Sequence, residues 1–482
     1  EKDKSFWFHL YEPDRSRYQK VELSGDTFTP DVDDVECRVV SSKMVCFRDK
    51  TRLLQSTFQC PDVRFTNIYK QAREPRLHVN SFDVNASGEL AVSAASDASV
   101  LLWETKTGQI RRTFSGHASE VYCSKFFPSG LVVLTGGSDM QLKIWCVVSG
   151  QCAATLRPGL GAADSTGSAA EPGGHRSGIV DVDFIDRGKN IVAIDRGGWL
   201  RLWDVSTQVA ISAMSVVPKS RGVTSYANCS ADDSPHCCAV KSRTWDPTSL
   251  AQATAQEESC GQFCTLETTS ARATATGVTD KLVAVGSGRD GQLLIYDISS
   301  ASSRGRGPTL QLALPCASGS VTACAFSLAP PEQACGGVSS EFAIVGGGST
   351  GEIACWDLRH TSNPLLTYEA YKSGVCGLKM LNFPSHSVDV NGSTKISVPA
   401  CTGLFASFRD GRVTVRQLAK ESSPLQNDYA KLLELTGPDV DVIRGLCVLP
   451  TDRPSGTSSV WTGTHGGHFF HYRRVAIHQL FV

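Results

Sequence analysis

Residues 116–145 constrain the fold more than any other part of the chain. This segment begins with Gly116-His117, contains three strand-like runs of apolar residues, and ends on Trp145. Pro128-Ser-Gly130 and the residues around Asp139 separate the runs where tight turns are expected. The pattern predicts three short strands joined by turns, which is typical of an all-β chain built from small sheets.

Four side chains of this segment have the spacing of the hydrogen-bonded tetrad of WD40 repeats: His117, Thr135, Asp139 and Trp145. We expect Asp139 to accept from the histidine or a backbone N–H, and the hydroxyl to link the histidine to the indole. Such a network satisfies buried polar groups and locks one blade of a propeller. An isolated histidine of this kind would be a candidate catalytic base, but the repeat favours a structural role.

The same frame recurs along the chain, with a reference position that is aromatic except at Arg416, and a turn residue six positions before it. The reference positions are Trp103, Trp145, Trp203, Tyr296, Trp356, Arg416 and Tyr472. The turn residues are Asp97, Asp139, Gly197, Asp290, Thr350, Asp410 and Gly466. Because such repeats bury their faces against one another and close into a ring, the frame predicts a seven-bladed WD40 β-propeller.

The later repeats are longer than the first spacing, from Trp103 to Trp145. The extra residues are polar and rich in Gly, Ser, Thr and Ala, a composition that buries too little apolar surface to order itself. We therefore predict flexible surface insertions near residues 157–174, 231–277, 299–308 and 384–395.

Residues 1–75 do not repeat, although Ser5–Leu10 and Lys43–Phe47 are strand-like. They predict a small β-rich N-terminal domain packed against a propeller formed by residues 76–482. Two alternatives concern the closure of the ring. The last strand of the N-terminal region completes the final blade, or the C-terminal residues Val475–Val482 supply the outer strand instead.

Composition and motifs exclude several classes of function. The chain has 47 basic and 48 acidic residues, a net charge of −1, and no apolar run long enough to span a membrane, so neither nucleic acid nor a membrane is an expected partner. Many of the 18 Cys lie in strand-like runs, which suits buried thiols of a reducing compartment. The Cys260/Cys264 spacing lacks the paired motif of a zinc site. Because nucleophile-elbow, P-loop and metalloprotease motifs are absent from the sequence, we expect no catalytic residues, metal or cofactor.

Three stretches resemble the proteasomal ATPase-associated factor family. They are the segment Phe126–Trp145, the stretch Asp186-Arg-Gly-Lys-Asn190 and the stretch Glu434-Leu-Thr-Gly-Pro-Asp439, in the same order along the chain. The resemblance covers roughly residues 76–482 and is weak in residues 1–75. It implies a WD40 assembly chaperone that binds the C-terminal domain of an ATPase subunit in the base of the 26S proteasome regulatory particle. It also implies a cytoplasmic and nuclear protein, which we expect to be a monomer when unbound.

The propeller geometry predicts where a partner binds. Residues just before or early in the first strand of each blade, and those just before the turn Asp, point to one rim. We expect this protein-binding rim to include His78, Asn80, Glu120, Tyr122, Arg289, Arg409 and Arg444. Arg and Tyr are common interface anchors.

A second function is suggested by Trp356-Asp357-Leu358-Arg359, which resembles the motif through which substrate receptors of cullin-type ubiquitin ligases bind their adaptor. An exposed Arg359 reaches an acidic pocket in such a receptor. Alternatively, Arg359 pairs locally with Asp357 or caps the end of its strand.

Overall fold

The structure is a computed structural model of the 482-residue chain. The residues that it describes are 5–11, 16–24, 27–30, 35–41, 43–49, 54–66, 68–69, 77–156, 174–185, 188–216, 237–241, 282–288, 291–298, 308–315, 319–327, 343–369, 373–383, 386–389, 395–398, 401–418, 430–438, 441–452 and 457–476. They contain many β-strands and no α-helix.

The strands repeat in sets of four, which we call the first, second, third and outer strand of each set. The first strands are β8 (Val79–Val84), β12 (Val121–Phe126), β16 (Ile179–Ile185), β20 (Cys237–Lys241), β24 (Val321–Phe326), β28 (Val375–Phe383) and β34 (Ile443–Asp452). The second strands are β9 (Leu90–Ala95), β13 (Val132–Gly137), β17 (Asn190–Asp195), β21 (Leu282–Gly286), β25 (Ala343–Gly348), β31 (Cys401–Phe408) and β35 (Thr457–Thr464).

The third strands are β10 (Val100–Glu104), β14 (Leu142–Cys146), β18 (Trp199–Asp204), β22 (Gln292–Asp297), β26 (Glu352–Asp357), β32 (Val413–Leu418) and β36 (Phe469–Ala476). The outer strands are β11 (Ile110–Phe114), β15 (Cys152–Leu156), β19 (Val209–Ser215), β23 (Leu310–Ala313), β27 (Leu366–Glu369), β33 (Ala430–Leu435) and β7 (Val63–Phe65). In the part of the chain that the structure describes, these strands form six four-stranded sheets and one sheet of seven strands.

The sheets are arranged around a common axis. Each first strand lies beside the first strand of the next sheet, and β34 lies beside β8, so that the arrangement is a closed ring. The second and third strands are buried on both faces because each sheet is covered by its two neighbours. In β13, for example, Val133 and Leu134 are fully buried. Closure of this kind removes the open faces that a single small sheet would expose to water.

Burial of large aromatic side chains accounts for much of the core. Trp103, Trp145, Trp203, Trp356 and Trp461 are all almost completely buried between neighbouring sheets. The outer strands are much more exposed, and in β11 only Phe114 is buried. The apolar reference positions of the sequence repeat therefore pack between sheets, as expected for residues on the covered faces of a propeller.

Part of the N-terminal region takes part in the ring. Its strands before β7 are β1 (Ser5–Tyr11), β2 (Ser16–Ser24), β3 (Thr27–Pro30), β4 (Val35–Ser41), β5 (Met44–Asp49) and β6 (Leu54–Gln59). Strands β1–β3 form a sheet of their own, whereas β6 pairs in parallel with β33 and extends that sheet with β5 and β4. Strand β7 pairs with β36 and is the outer strand of the last sheet. The region predicted as a separate domain therefore contributes strands to two sheets of the ring.

Two of the predicted insertions contain regular structure. Cys237–Lys241, inside the predicted insertion 231–277, is the first strand β20 of a sheet, although its sequence is short and follows polar residues. His386–Asp389 (β29), inside the predicted insertion 384–395, pairs with Lys395–Val398 (β30), which begins at the last residue of that range. The other residues of these two ranges, most of 157–174 and most of 299–308 lie outside the described residues. No helix in the described part of the chain is long and apolar enough to cross a membrane.

Candidate protein-binding surface

The second sheet contains the hydrogen-bonded chain that the sequence predicts. His117 Nδ1 lies 2.8 Å from Asp139 Oδ2, and His117 Nε2 lies 2.6 Å from Thr135 Oγ1. The Trp145 indole N–H donates to the same Thr135 oxygen over 2.8 Å. The simplest assignment has His117 donating to the carboxylate and accepting from the hydroxyl. This chain ties the turn after β13 to the core of the sheet.

Hydrogen-bond donors around Asp139 stabilise its ionised carboxylate. Burial alone would raise the pKa of Asp139, but His117 and the backbone N–H groups of Ala118 and Gln141 outweigh it and lower the pKa. Gly137 allows this turn to form close to the preceding loop, because a Cβ at residue 137 would lie 2.5 Å from the carbonyl oxygen of Glu120. The backbone is thereby brought close enough for Ser138 N–H to donate to the Glu120 carbonyl.

The third sheet has a related network that sequence analysis missed. His175 Nδ1 lies 2.8 Å from Asp195 Oδ2, and the Trp203 indole N–H donates to His175 Nε2 over 3.4 Å. Gly197 occupies the turn position, as the sequence frame assigns, and the carboxylate comes instead from Asp195, two residues earlier. Ala193 stands where Thr135 supplies a hydroxyl, so the histidine contacts the indole directly. The signal was the dipeptide Gly174-His175, which repeats Gly116-His117 at the same distance from the following Trp.

The first sheet uses a tyrosine from the N-terminal region. Ser93 Oγ accepts from the Trp103 indole over 3.3 Å, and the Tyr69 hydroxyl donates to Ser93 Oγ over 2.7 Å. Tyr69 therefore occupies the role that His117 has in the second sheet. Asp97 instead accepts from the backbone N–H of Ser99 within its own turn. The arrangement attaches residues 68–69 to the core of the ring.

A β-bulge at the start of the first strands builds the rim. In six of the first strands that the structure describes, the pairing with the second strand shifts by one residue after the first residue of the strand. A β-bulge of this kind redirects the side chain of the extra residue. The extra residues are Asn80, Tyr122, Val180, Thr322, Cys376 and Arg444. Two of them donate equivalent hydrogen bonds to the next first strand: Asn80 Nδ2 to the Val121 carbonyl over 3.0 Å, and Thr322 Oγ1 to the Val375 carbonyl over 2.5 Å.

Five rim residues form one connected group, which we call the rim cluster: Glu120, Asn80, His78, His465 and Arg444. Glu120 Oε1 accepts from Asn80 Nδ2 over 2.9 Å and lies 3.2 Å from His78 Nε2. The His78 ring stacks on His465 with 4.4 Å between centroids, and Arg444 Nε donates to His465 Nδ1 over 3.4 Å. Burial and the nearby Arg444 and His78 lower the pKa of His465. The cluster spans three neighbouring sheets.

The structure places the other predicted rim residues on either side of this cluster. Arg196 lies over the Tyr122 ring, 4.4 Å from its centroid, and Arg196 is exposed. On the opposite side, Arg409 and Arg444 are both near Cys376. Arg289 lies outside the described residues. Arg196 and His465 were not among the predicted rim residues, because the turn residues that follow them, Gly197 and Gly466, are not Asp.

Arg359 of the Trp356–Arg359 motif is already paired within its own strand end. Arg359 Nε donates to both carboxylate oxygens of Asp357, over 2.9 and 3.2 Å, and its terminal nitrogen donates to Oδ2 over 2.5 Å. Burial would raise the pKa of Asp357, but the Arg359 guanidinium lowers it. This is the local pairing that the sequence left open as an alternative to adaptor binding.

Comparison with known proteins identifies a repeat and a fold. Residues 108–146 match the family model described as WD domain, G-beta repeat. Proteasomal ATPase-associated factor 1 of Gallus gallus is 31% identical over 92 residues, which cover 19% of this chain and 22% of that protein. The Homo sapiens protein of the same name is 33% identical over 76 residues, covering 16% and 18%. The chain thus aligns with only about a fifth of the length of these relatives.

The solved structure described as the crystal structure of RRP9 WD40 repeats has a TM-score of 0.53, covers 91% of this chain and 100% of that chain, and is 14% identical. At such identity the likeness concerns the fold alone. Together, the fold, the tetrad geometry and the repeat match define the class: the protein is an all-β WD40-type β-propeller. Propellers of this class are typically non-enzymatic platforms. Within it, the partial matches support a WD-repeat protein rather than one particular member.

Proposed function

We propose that the protein is a non-catalytic protein-binding platform, and that the rim cluster is the centre of its docking surface. The observation that carries the proposal is the connected group Glu120–Asn80–His78–His465–Arg444 on three neighbouring sheets. Its polar groups are partly exposed, with 35% of the His78 side chain and 30% of the Glu120 side chain accessible. A partner is able to reach these groups directly.

The rim side chains are held before a partner arrives. Asn80 is anchored to a backbone carbonyl of the next sheet, and the two histidine rings restrict each other by stacking. Because side chains that are already ordered lose little conformational entropy on association, more of the interaction energy contributes to affinity. Arg196 on Tyr122 extends the surface with two residue types that are common at binding hot spots.

As partner, we propose the C-terminal domain of an ATPase subunit of the proteasome regulatory particle base. Support comes from the partial similarity to Proteasomal ATPase-associated factor 1 and from the resemblance of the three stretches described above. In this proposal the propeller holds the ATPase domain during assembly and covers a surface that the subunit needs later. Release follows when the later interaction competes for that surface. The proposal includes a cytoplasmic and nuclear location and a monomeric free state.

We also infer that the ring has seven blades. The sheet of seven strands contains the consecutive antiparallel set β28, β31, β32 and β33, which has the strand order of the four-stranded sheets. In this interpretation β4–β6 are additions to the outer edge of that blade. The contacts of β28 with both β24 and β34 support a position of this set between two neighbouring blades.

The test is co-purification of the full chain with separately expressed C-terminal domains of the base ATPases. The test variant is Glu120→Lys, which places a cation beside His78 and removes one of the two acceptors of Asn80. The matched control is Glu89→Lys, the same change at an exposed residue of the turn between β8 and β9, at the other end of the sheet. We expect at least a tenfold loss of affinity for Glu120→Lys, equivalent to about 1.4 kcal/mol, and an unchanged affinity for Glu89→Lys.

Equal binding by both variants would refute the rim cluster as the docking surface, and lack of binding to each ATPase domain by the unaltered chain would refute the partner. The cullin adaptor serves as a parallel bait. Binding to that adaptor, lost in Arg359→Ala, would favour the ligase-receptor function. For this outcome, Arg359 must break its hydrogen bonds with Asp357 and form new ones with the adaptor.

A further inference from the structure

Two cysteines face each other across the boundary between two sheets. Cys237 is the first residue of β20, Cys324 is the fourth residue of β24, and these first strands are neighbours in the ring. The Cys237 thiol donates a hydrogen bond to Cys324 Sγ, and the two sulfur atoms are 3.5 Å apart. Cys237 is buried, with 7% of its surface exposed, whereas Cys324 is partly exposed.

Tight backbone packing holds this pair in position. Gly286 lies opposite Cys237 in the ladder between β20 and β21. A Cβ at Gly286 would lie 2.8 Å from Cys237 Sγ and 2.6 Å from the Val321 carbonyl oxygen. The missing side chain therefore allows β24 to approach β21 closely, and the Cys237 sulfur fills the space that remains.

The adjacent Cys238 is directed to the other side of the sheet. It is buried with Val283 and Val285 in the core toward the third sheet, and its backbone N–H donates to Asp181 over 3.0 Å. Successive side chains of a strand alternate between its two faces, which explains why only one of the two neighbouring cysteines meets Cys324. Cys238 is consequently a matched internal control for Cys237.

We propose that Cys237 and Cys324 are an oxidation site that forms a reversible disulfide between neighbouring sheets. A disulfide has a sulfur–sulfur distance of about 2.05 Å, so the two sulfur atoms must approach by about 1.5 Å. Rotation of two side chains and a small strand shift supply such a displacement. The oxidant is a low-molecular-weight disulfide.

The chemistry proceeds by two exchange steps. The Cys237 thiolate attacks one sulfur of the small disulfide, which forms a mixed disulfide and releases one small thiolate. The Cys324 thiolate then attacks the Cys237 sulfur, which forms the Cys237–Cys324 bond and releases the second small thiolate. Both protein thiols lose their protons to solvent and are oxidised, while the small disulfide is reduced to two thiols.

The cross-link would restrain the long segment between β20 and β24. In the unfolded chain it closes a large loop, and such closure lowers the entropy of the unfolded state. The oxidised protein is therefore expected to have a higher unfolding midpoint than the reduced protein. Reduction returns the midpoint to its original value, since no other bond is changed.

The experiment equilibrates the full chain in buffers of reduced and oxidised glutathione, blocks free thiols with an alkylating reagent, and maps peptides by mass spectrometry. We expect a linked peptide pair containing Cys237 and Cys324 that increases with the share of oxidised glutathione. Cys238→Ser should retain the pair, whereas Cys237→Ser should lose both the pair and the oxidation-dependent rise in midpoint.

Two results would overturn the proposal. One is a map in which Cys237 and Cys324 remain free, or carry glutathione separately, at every buffer ratio. The other is a cross-link that involves Cys238 and disappears in Cys238→Ser. Should Cys237→Ser fail to fold, the map of the unaltered chain together with Cys238→Ser still decides between these outcomes.

Discussion

At the scale of single residues, one frame of positions is filled by different chemistry in each sheet. The hydroxyl position, ten residues before the reference aromatic, is Ser93, Thr135 or Thr462 in three sheets and Ala193 in another. Where this position has a hydroxyl and the reference aromatic is Trp, the hydroxyl oxygen accepts a hydrogen bond from the indole N–H. Where it is absent in the third sheet, the histidine accepts instead. In the first, second and third sheets the buried indole N–H is therefore satisfied by whichever acceptor the sequence supplies.

Thr135→Val should destabilise the protein by about 2 kcal/mol, because it leaves the buried Trp145 N–H and His117 Nε2 without their shared partner. The replacement keeps the shape of the side chain, so the effect isolates the hydroxyl. The measurement is the free energy of unfolding from urea denaturation. Thr113→Val is the matched control at an exposed position of β11, where a change within about 0.5 kcal/mol is expected. Equal effects in the two variants would contradict a role for the hydroxyl.

His471 should make stability depend on pH. Burial and the nearby Arg473 lower the pKa of His471 to about 4, and its ring stacks on Trp461 with 3.8 Å between centroids. The unfolded chain, with a pKa near 6.5, then binds more protons than the folded protein between pH 4 and 6.5. This contribution is complete above about pH 6.5 and is lost as the pH falls toward 4.

The test is a histidine titration by NMR, with the resonance assigned by its absence in His471→Gln. We expect this resonance to titrate near pH 4 in the folded protein, and we expect His471→Gln to weaken the loss of stability on acidification. A resonance that titrates near pH 6.5 would contradict a partly buried imidazole that stays neutral.

At the scale of elements, the N-terminal strands are joined to the end of the chain. Asp62 N–H donates to the His471 carbonyl over 2.7 Å, and Arg473 N–H donates to Asp62 Oδ2 over 2.6 Å. Phe65 on β7 packs against both Trp103 and Trp461, the reference aromatic of the first sheet and a core aromatic of the last. Strand β7 therefore connects the two ends of the ring.

Two truncations should separate the roles of the N-terminal strands. Removal of residues 1–34 deletes only β1–β3, which form their own sheet, and should leave the unfolding midpoint nearly unchanged. Removal of residues 1–69 also deletes β4–β7 and Tyr69, which exposes the edge of β36 and removes the tyrosine that donates to Ser93. We expect this second truncation to lower the midpoint strongly in thermal unfolding followed by circular dichroism. Equal midpoints for both truncations would contradict closure by β7.

At the scale of the whole molecule, bonds between first strands link the sheets around the axis. Asp83 accepts from Phe126 N–H on one side and from the Cys447 thiol on the other. Lys125 lies 3.3 Å from Asp181, which in turn accepts from Cys238 N–H. Burial would lower the pKa of Lys125, but Asp181 and Asp183 raise it well above its usual range. These links favour unfolding of the ring as one unit.

Lys125→Met should destabilise the ring by about 3 kcal/mol, because it leaves Asp181 and Asp183 with an uncompensated charge between sheets. Tryptophan fluorescence and circular dichroism should shift together, since the Trp residues are spread over several sheets. Lys43→Met is the control, because it breaks the exposed pair with Asp62 and should cost less than about 1 kcal/mol. Separate transitions for the two signals would show that the sheets unfold independently.

The pattern of apolar and turn residues was sufficient to predict the propeller class. The spacing of four residues was sufficient to predict the tetrad of the second sheet. Both depend on contacts between residues that are close in the chain, where spacing determines which side chains meet. Asp195 was missed because the fixed spacing points to Gly197, whereas the carboxylate lies at the end of the preceding strand, β17. The role of β20 was missed because a strand of five residues between polar stretches has too little periodicity to be recognised.

Only the tertiary structure decided which distant residues meet. The sequence determined the alternation of apolar strands and turns, since each small sheet must cover its two faces. It did not determine that Tyr69 replaces a histidine in the first sheet, that His78 stacks on His465, or that Cys237 rather than Cys238 faces Cys324. These contacts depend on how the sheets are placed around the axis and on which face of a strand each residue occupies, and a linear sequence does not specify that placement by itself.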